Sequence, residues 1–516
     1  MTHDPIRSIV IAGGGSAGWM TAAALSATLP PQRCSITLIE SETIGPIGVG
    51  EATIPAIQLF NRIAGVEERD FMVATKATFK LGIEFDGWRH AGHRYFHPFG
   101  RYGDDFGASA FHHHWLRARH LGDTAPLGAY SLNEQAAYAG KFGPGDGDPR
   151  SVLSTFAHAY HFDATLYGRY LRGLAEQRGV SRREGLITRV ERNAETGHIE
   201  ALCLDDGGMI EGDLFIDCTG MRALLLGDAL GVGYEDWSRY LPCDRALAVP
   251  SDCVDLDRPY TRATAHAAGW QWRIPLQHRM GNGMVYASQF WSDEQAHAAL
   301  TGHVEGACLA DPRPIHFTTG RRERMWDGNC IAIGLSAGFL EPLESTSLHL
   351  VQSAITKLLG WFPDRGFNPR VVQEFNRQVV DDHDRIRDFL VLHYIANERE
   401  GEPFWDHCRH LPLPPTLADK IAMFRETGRL LSREKDLFLD SNWLAVLLGQ
   451  GIIPQGFDPL TDMVRPSDLD RMLRGMRQVI ARAAEAMPTQ RHVLDRWIGS
   501  AGAGGSGGAA SAATLS

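Results

Sequence analysis

At 516 residues and 56.9 kDa, with 44% hydrophobic and 22% charged residues, the chain is long enough for a large core and two or more lobes. A formal net charge of -11 with no clustered excess of Lys and Arg excludes nucleic acid as an expected partner. Eight cysteines, at 34, 203, 218, 243, 253, 308, 330 and 408, stand far apart without a C-x-x-C pair, the pattern of buried thiols in a reducing, cytoplasmic compartment.

In chain order, residues 7–12 form a short apolar strand pattern, 13–18 a turn, 19–28 an Ala-rich helix, and 34–39 a second strand ending in Glu40. The apolar opening from Ile9 to Leu29 contains Gly13, Gly14, Gly15 and Gly18 and has no basic leader, so it reads as a βα unit rather than a signal or membrane segment. Residues 160–176 are predicted helical, 185–191 and 198–204 are predicted strands, and 213–218 is a buried strand entering Thr219-Gly220. A further strand at 330–333 meets Gly334 and leads to a helix over 347–362; helical runs follow at 375–397, 416–434 and 466–487.

Gly13-Gly14-Gly15-Ser16-Ala17-Gly18 fits G-x-G-x-x-G. The first glycine makes a tight turn, the second admits a pyrophosphate to the backbone, and the third lets helix and strand pack closely. The helix start offers free N–H groups to phosphates, and Glu40 ends the next strand where an acid meets ribose hydroxyls. The pattern recurs at 502–507 in a Gly/Ala/Ser tail with no strand before it, and residues 14–18 also fit a G-x-S-x-G elbow, but Ser16 has no convincing partner histidine. FAD is preferred to NAD because residues 215–220 and 331–335 look like later returns of a large flavin fold to its cofactor. The expected fold class is α/β (α+β): a Rossmann-like FAD-binding core of the flavin monooxygenase type over 1–375, with inserted substrate-side segments near 90–160 and 235–320. A helical substrate lobe over 376–498 and a disordered tail over 499–516 complete it. No second credible fingerprint exists for a nicotinamide cofactor, so reduced flavin is expected from a separate NAD(P)H-dependent flavin reductase.

Trp270-Gln271-Trp272-Arg273-Ile274-Pro275 places two tryptophans on one side of a strand, where they can simply cover a core sheet. Lys80 is one of six lysines against 45 arginines, so a lysine kept there suggests a task that guanidinium cannot do. The plainer alternative is a solvated lysine or an ion-pair partner of Glu84.

Together these segments resemble the flavin-dependent halogenases of the tryptophan halogenase type. The resemblance spans the chain to about residue 490 and rests on residues 13–18, 48–53, 78–82, 270–275 and 339–346. It implies that reduced FAD and O2 turn chloride or bromide into hypohalous acid, which reaches Lys80 beside an electron-rich aromatic ring. Lys80 and Glu344 match the family's catalytic pair; Glu344 also suits the plainer role of an acid near a helix N-terminus. Thr346 and Ser347 occupy the halide-binding positions, Ser347 standing where relatives usually carry Gly. Leu335 after Gly334, where many flavin monooxygenases have Asp, fits the same family. Val49, Gly50, Ala52, Val190, Leu335 and Leu348 complete the expected cofactor set, with residues 48–53 as a strap between flavin and substrate.

His97, Pro98 and Phe99 resemble the segment that holds an indole, and Trp443 either stacks on the substrate or belongs to the core. Residues 441–451 lack the tyrosine pair with which tryptophan-specific members grip the amino acid, so indole-type substrates are expected rather than free tryptophan. The competing readings are a single-component FAD-dependent aromatic hydroxylase and a flavin-binding protein without turnover. A homodimer is the assembly left open, and no membrane partner is expected. His112-His113-His114 is not expected to hold zinc, because adjacent histidines on regular structure cannot all face one ion.

Overall fold

The strand Ser8–Ala12 is apolar because parallel neighbours flank it, Leu214–Asp217 on one side and Ser35–Glu40 on the other. In the computed structural model, which describes residues 4–42, 50–432 and 436–503 and side chains as far as 498, these strands lie inside a six-stranded sheet. Its order is Trp326–Asp327, Cys330–Ala332, Leu214–Asp217, Ser8–Ala12, Ser35–Glu40 and Ser181–Glu184. The edge pairing of Trp326–Asp327 with Cys330–Ala332 is antiparallel and the others are parallel. The helix after the glycine turn is Ser16–Thr28, starting earlier than residue 19, so Gly18 lies in its first turn. A Cβ at Gly18 would come 1.9 Å from the Gly13 carbonyl oxygen, which explains the third glycine.

The expected helix over 160–176 is corrected at its start. Ala159–Asp163 is a fully buried strand, and the helix runs Ala164–Gln177. The strand is held between Gly50–Ala52 and Thr78–Lys80, with Tyr160 and Phe162 packed on Phe71. Asp163 then caps the helix by accepting from the Thr165 and Leu166 N–H groups. Tertiary pairing overrides the apolar periodicity that made one helix of both elements.

A seven-stranded sheet runs Arg313–His316, Arg245–Ser251, Met280–Tyr286, Gly269–Pro275, Thr261–His266, Gly82–Asp86 and Arg94–Pro98. The strand Gly269–Pro275 is central and buried at every residue, and Trp272 fills the space left by Gly283, where a Cβ would come within 2.0 Å of its ring.

Helices dominate after residue 346: Ser347–Gly360, Pro369–Ile395, Pro403–Arg409, Pro415–Thr427, Asp440–Gly449, Pro466–Ala486 and Gln490–Ala503. Four of them open on a proline in the first turn, where its missing N–H costs nothing. The long helix Pro369–Ile395 buries Ile386, Phe389, Leu390, Val391 and Leu392, so its last turn is driven into the core. The helix Gln490–Ala503 continues past residue 499, where the tail was expected to lack structure; residues 504–516 lie outside the described set. All eight cysteines are free thiols, and among the described residues no helix is long and apolar enough to cross a membrane.

Candidate active site

Lys80 ends the strand Thr78–Lys80 and is fully buried. Its Nζ donates to Ser345 Oγ at 2.7 Å and lies 5.3 Å from the centre of the Phe99 ring. Burial pushes the amine down to about 7, partly opposed by the charge of Glu344. The surface alternative therefore fails, and so does pairing with Glu84, whose carboxylate accepts from Arg262 Nε at 2.9 Å. Ser345 holds φ 58°, a left-handed conformation that costs a non-glycine residue roughly 1 kcal/mol. The strained turn directs the Ser345 hydroxyl to Lys80 and sets Thr346 at the start of the next helix.

Glu344 lies in the short 3-10 turn Pro342–Glu344 and is 1% exposed. Both of its oxygens are 3.0 Å from His97 Nδ1. His393 Nε2, from the last turn of Pro369–Ile395, lies 2.8 Å from Oε1. Burial opposes ionisation of this carboxyl, but the two imidazoles outweigh burial and hold it down to about 2. Glu344 is thus a carboxylate, and its charge acts on Lys80.

Three residues earlier, Glu341 is fully buried; its Oε2 accepts from Trp270 Nε1 at 3.0 Å and from the Tyr394 hydroxyl at 2.7 Å. Burial raises it to about 7 against those two hydrogen bonds. The first tryptophan of the signature is therefore more than sheet cover. The consecutive residues His393 and Tyr394 reach the two glutamates of Glu341-Pro342-Leu343-Glu344.

Thr346 is fully buried, and its hydroxyl has no partner among the described residues. It precedes the helix Ser347–Gly360, whose start has no side-chain cap. A buried unsatisfied hydroxyl at an uncapped helix start is suited to an anion such as halide. Ser347 is the first residue of that helix and is partly exposed.

The glycine turn fits a dinucleotide. Gly13 has φ +106°, and a Cβ there would meet the Cys218 carbonyl oxygen at 2.2 Å, whereas among the described residues nothing stands within 4 Å of a Cβ at Gly15. Gly15 stands at the start of the helix Ser16–Thr28 without a side-chain cap, so the first-turn N–H groups of Ser16, Ala17 and Gly18 are suited to a phosphate. Gly334, at φ +83°, packs on the same helix, where a Cβ would come 2.8 Å from Ala17, and Leu335 follows it in the chain. Leu348 is the buried second residue of its helix, and Val190 lies on the strand Ile187–Arg192 opposite Leu202. Gly14 crowds Glu40, whose carboxylate accepts from Trp19 Nε1 at 3.1 Å and from Arg182 Nε. Gly50 and Ala52 are in the strand that pairs with Ala159–Asp163; Val49 and the first part of the expected strap lie outside the described residues.

His97 and Phe99 converge on the same site, but His97 spends its ring on Glu344 and Asn442, and Phe99 lies under Lys80. Pro98 pairs with Gly82 at the end of the strand Arg94–Pro98. Trp443 is 4% exposed, its ring edge-on to Phe389 at 4.9 Å with Lys420 Nζ 4.0 Å from its centre. Sequence reasoning missed His393, Tyr394, Glu341 and Asn442; the visible signal for two of them is a polar His-Tyr pair closing the apolar face of a long helix. The three consecutive histidines serve separate partners: His112 the Gly428 carbonyl at 2.9 Å, His113 the Asp458 N–H at 3.2 Å, and His114 the Phe106 carbonyl at 3.1 Å.

Residues 8–466 match the sequence profile described as tryptophan halogenase. A 7-chloro-L-tryptophan 6-halogenase of Kutzneria is 36% identical over 519 residues, covering 95% of this chain and 99% of the relative. A solved flavin-dependent halogenase from Xanthomonas campestris superposes with a TM-score of 0.92 at 45% identity, over 96% of this chain and 98% of that one. Another, from Brevundimonas, also has a TM-score of 0.92, at 47% identity over 95% of this chain and 99% of that one.

Proposed function

This chain belongs to the tryptophan halogenase family and is a flavin-dependent halogenase, and from that premise we propose a two-component enzyme that halogenates an indole-type arene at Lys80. Residues 13–18, Glu40, Leu335 and Leu348 would hold FAD, joined by Val49, Gly50, Ala52 and Val190. Reduced FAD, delivered by a separate flavin reductase, supplies the electrons with which O2 converts halide to hypohalous acid. Thr346 and Ser347 hold the halide. The observation that carries the reading is a fully buried lysine, poised near neutrality, beside a buried carboxylate.

Lys80 holds hypohalous acid by a hydrogen bond and gives it a proton. As the carbon–halogen bond forms, the oxygen–halogen bond breaks and the hydroxyl leaves as water. The ring proton passes to Glu344, which suffices as a base because a protonated arene is a strong acid; that proton then returns to Lys80. Phe99 offers an apolar face beside the amine, so an electron-rich ring can be held with one carbon toward it. The absence of tyrosine from 441–451 supports indole-type substrates over free tryptophan, because the amino acid's charged groups would lack that grip.

The test is to incubate the protein with FAD, an unrelated flavin reductase, NADH, O2, bromide and indole, and to seek the paired bromine isotopes by mass spectrometry. A brominated product that disappears in Lys80→Met is expected. A plain oxygen adduct would overturn the reading in favour of hydroxylation.

A further inference from the structure

Glu344 is held by His97, and His97 is held in turn by a residue with no place in the reaction described above. Asn442, in the first turn of Asp440–Gly449, places its Nδ2 2.9 Å from His97 Nε2. An amide can face a ring nitrogen with either end, but here the choice is made by the backbone. The Leu439 N–H lies 2.8 Å from Asn442 Oδ1, and a backbone N–H can only donate. Oδ1 is therefore the acceptor for Leu439, and Nδ2 is the donor to His97. His97 Nε2 must accept, which leaves the ring proton on Nδ1, directed at both oxygens of Glu344.

We propose that Asn442 is a positioning residue that fixes His97 as the neutral Nδ1–H tautomer, so that Glu344 receives a hydrogen bond without a neutralising cation from that side. The inference rests on the catalytic role given to Glu344 and Lys80. An imidazolium at 97 would cancel much of the Glu344 charge that opposes deprotonation of Lys80; a neutral N–H orients the carboxylate and leaves its field intact. The other polar groups facing this pair are Lys80 from its own strand, Tyr95 two residues before His97, and His393 from Pro369–Ile395. From Asp440–Gly449 the group that meets His97 is the neutral amide. The placement also ties the charge state of the site to the helix that carries Trp443, whose ring packs on Phe389, itself 5.8 Å from His97.

The first test needs neither flavin nor halide. In protein labelled with 15N-histidine, with His97→Gln to assign the signal, the His97 ring nitrogens should show a protonated Nδ1 and a bare Nε2 between pH 6 and 8. An Nε2–H tautomer, or a doubly protonated ring at pH 7, would overturn the proposal. Asn442→Asp replaces the donor by an acceptor and should bring a second proton onto His97 in the same range; a ring that stays neutral there would count equally against it. In turnover, Asn442→Asp should lower kcat about tenfold, the size of one pKa unit, with the arene KM nearly unchanged and the pH profile displaced. Loss of KM alone with an unmoved profile would reduce Asn442 to a packing role and overturn the proposal. If the wild type halogenated nothing, the halogenase mechanism would fall while the tautomer measurement still decided this inference.

Discussion

Lys80 and Ser345 are separated by 265 positions in the chain, yet the Lys80 ammonium donates to the Ser345 hydroxyl at 2.7 Å inside a site from which solvent is excluded. That hydrogen bond, the Phe99 ring and the Glu344 charge are what the described residues offer a buried cation. Lys80→Met should abolish halogenation while FAD binding, followed by flavin fluorescence, stays within about twofold.

The same burial has a consequence for stability. The folded-state pKa of Lys80 is about 7 against 10.5 for the free side chain. Between those values the unfolded chain binds the proton and the folded one does not, so wild-type stability rises with pH by up to about 1.4 kcal/mol per unit relative to Lys80→Met. Urea unfolding of both proteins at pH 7 and pH 9 checks the sign: the wild type gains on the variant at the higher pH. An unchanged difference would mean that Lys80 is not desolvated.

Glu344→Gln keeps the shape of the side chain and removes its charge. Halogenation should slow by about 10²–10³-fold, measured as kcat with reduced FAD supplied in excess. Glu344 also contributes stability through its depressed pKa, fully present above about 4.5 and lost as pH falls toward 2. The variant should therefore lose less stability than the wild type between pH 5 and pH 3.

Trp270→Phe deletes one of the two donors to Glu341 and leaves the Tyr394 hydroxyl in place. The expected cost is about 1–3 kcal/mol, seen as a lower urea midpoint. Tyr394→Phe should cost a similar amount, and the double variant should depart from additivity because both donors serve one oxygen.

Thr346→Val removes a buried hydroxyl that has no partner among the described residues, without changing the size of the side chain. Halide KM should rise several-fold while the arene KM stays put, measured by steady-state turnover against bromide and chloride. An unchanged halide KM would take the Thr346 side chain out of halide binding.

The dinucleotide turn was legible because its requirements are local. Gly13, Gly14 and Gly18 each meet a steric demand set by residues of the same βαβ unit or its neighbouring strand. Lys80 and Glu344 were legible for another reason: each stands in a short motif, and a scarce lysine in an arginine-rich chain has few bland explanations. The strand Ala159–Asp163 was not legible, because its apolar residues continue smoothly into a helix and only pairing on both edges separates the two.

By itself, then, the sequence determined the groups available: a glycine-rich turn of the dinucleotide type, a scarce lysine, a glutamate before a helix and an indole-rich strand. The tertiary structure alone decided how those groups are charged and aimed. His97 and Glu344 meet across 247 positions, and Asn442 reaches His97 across 345. Such contacts have no sequence spacing, and the burial and partners that set each protonation state exist only once distant elements pack together.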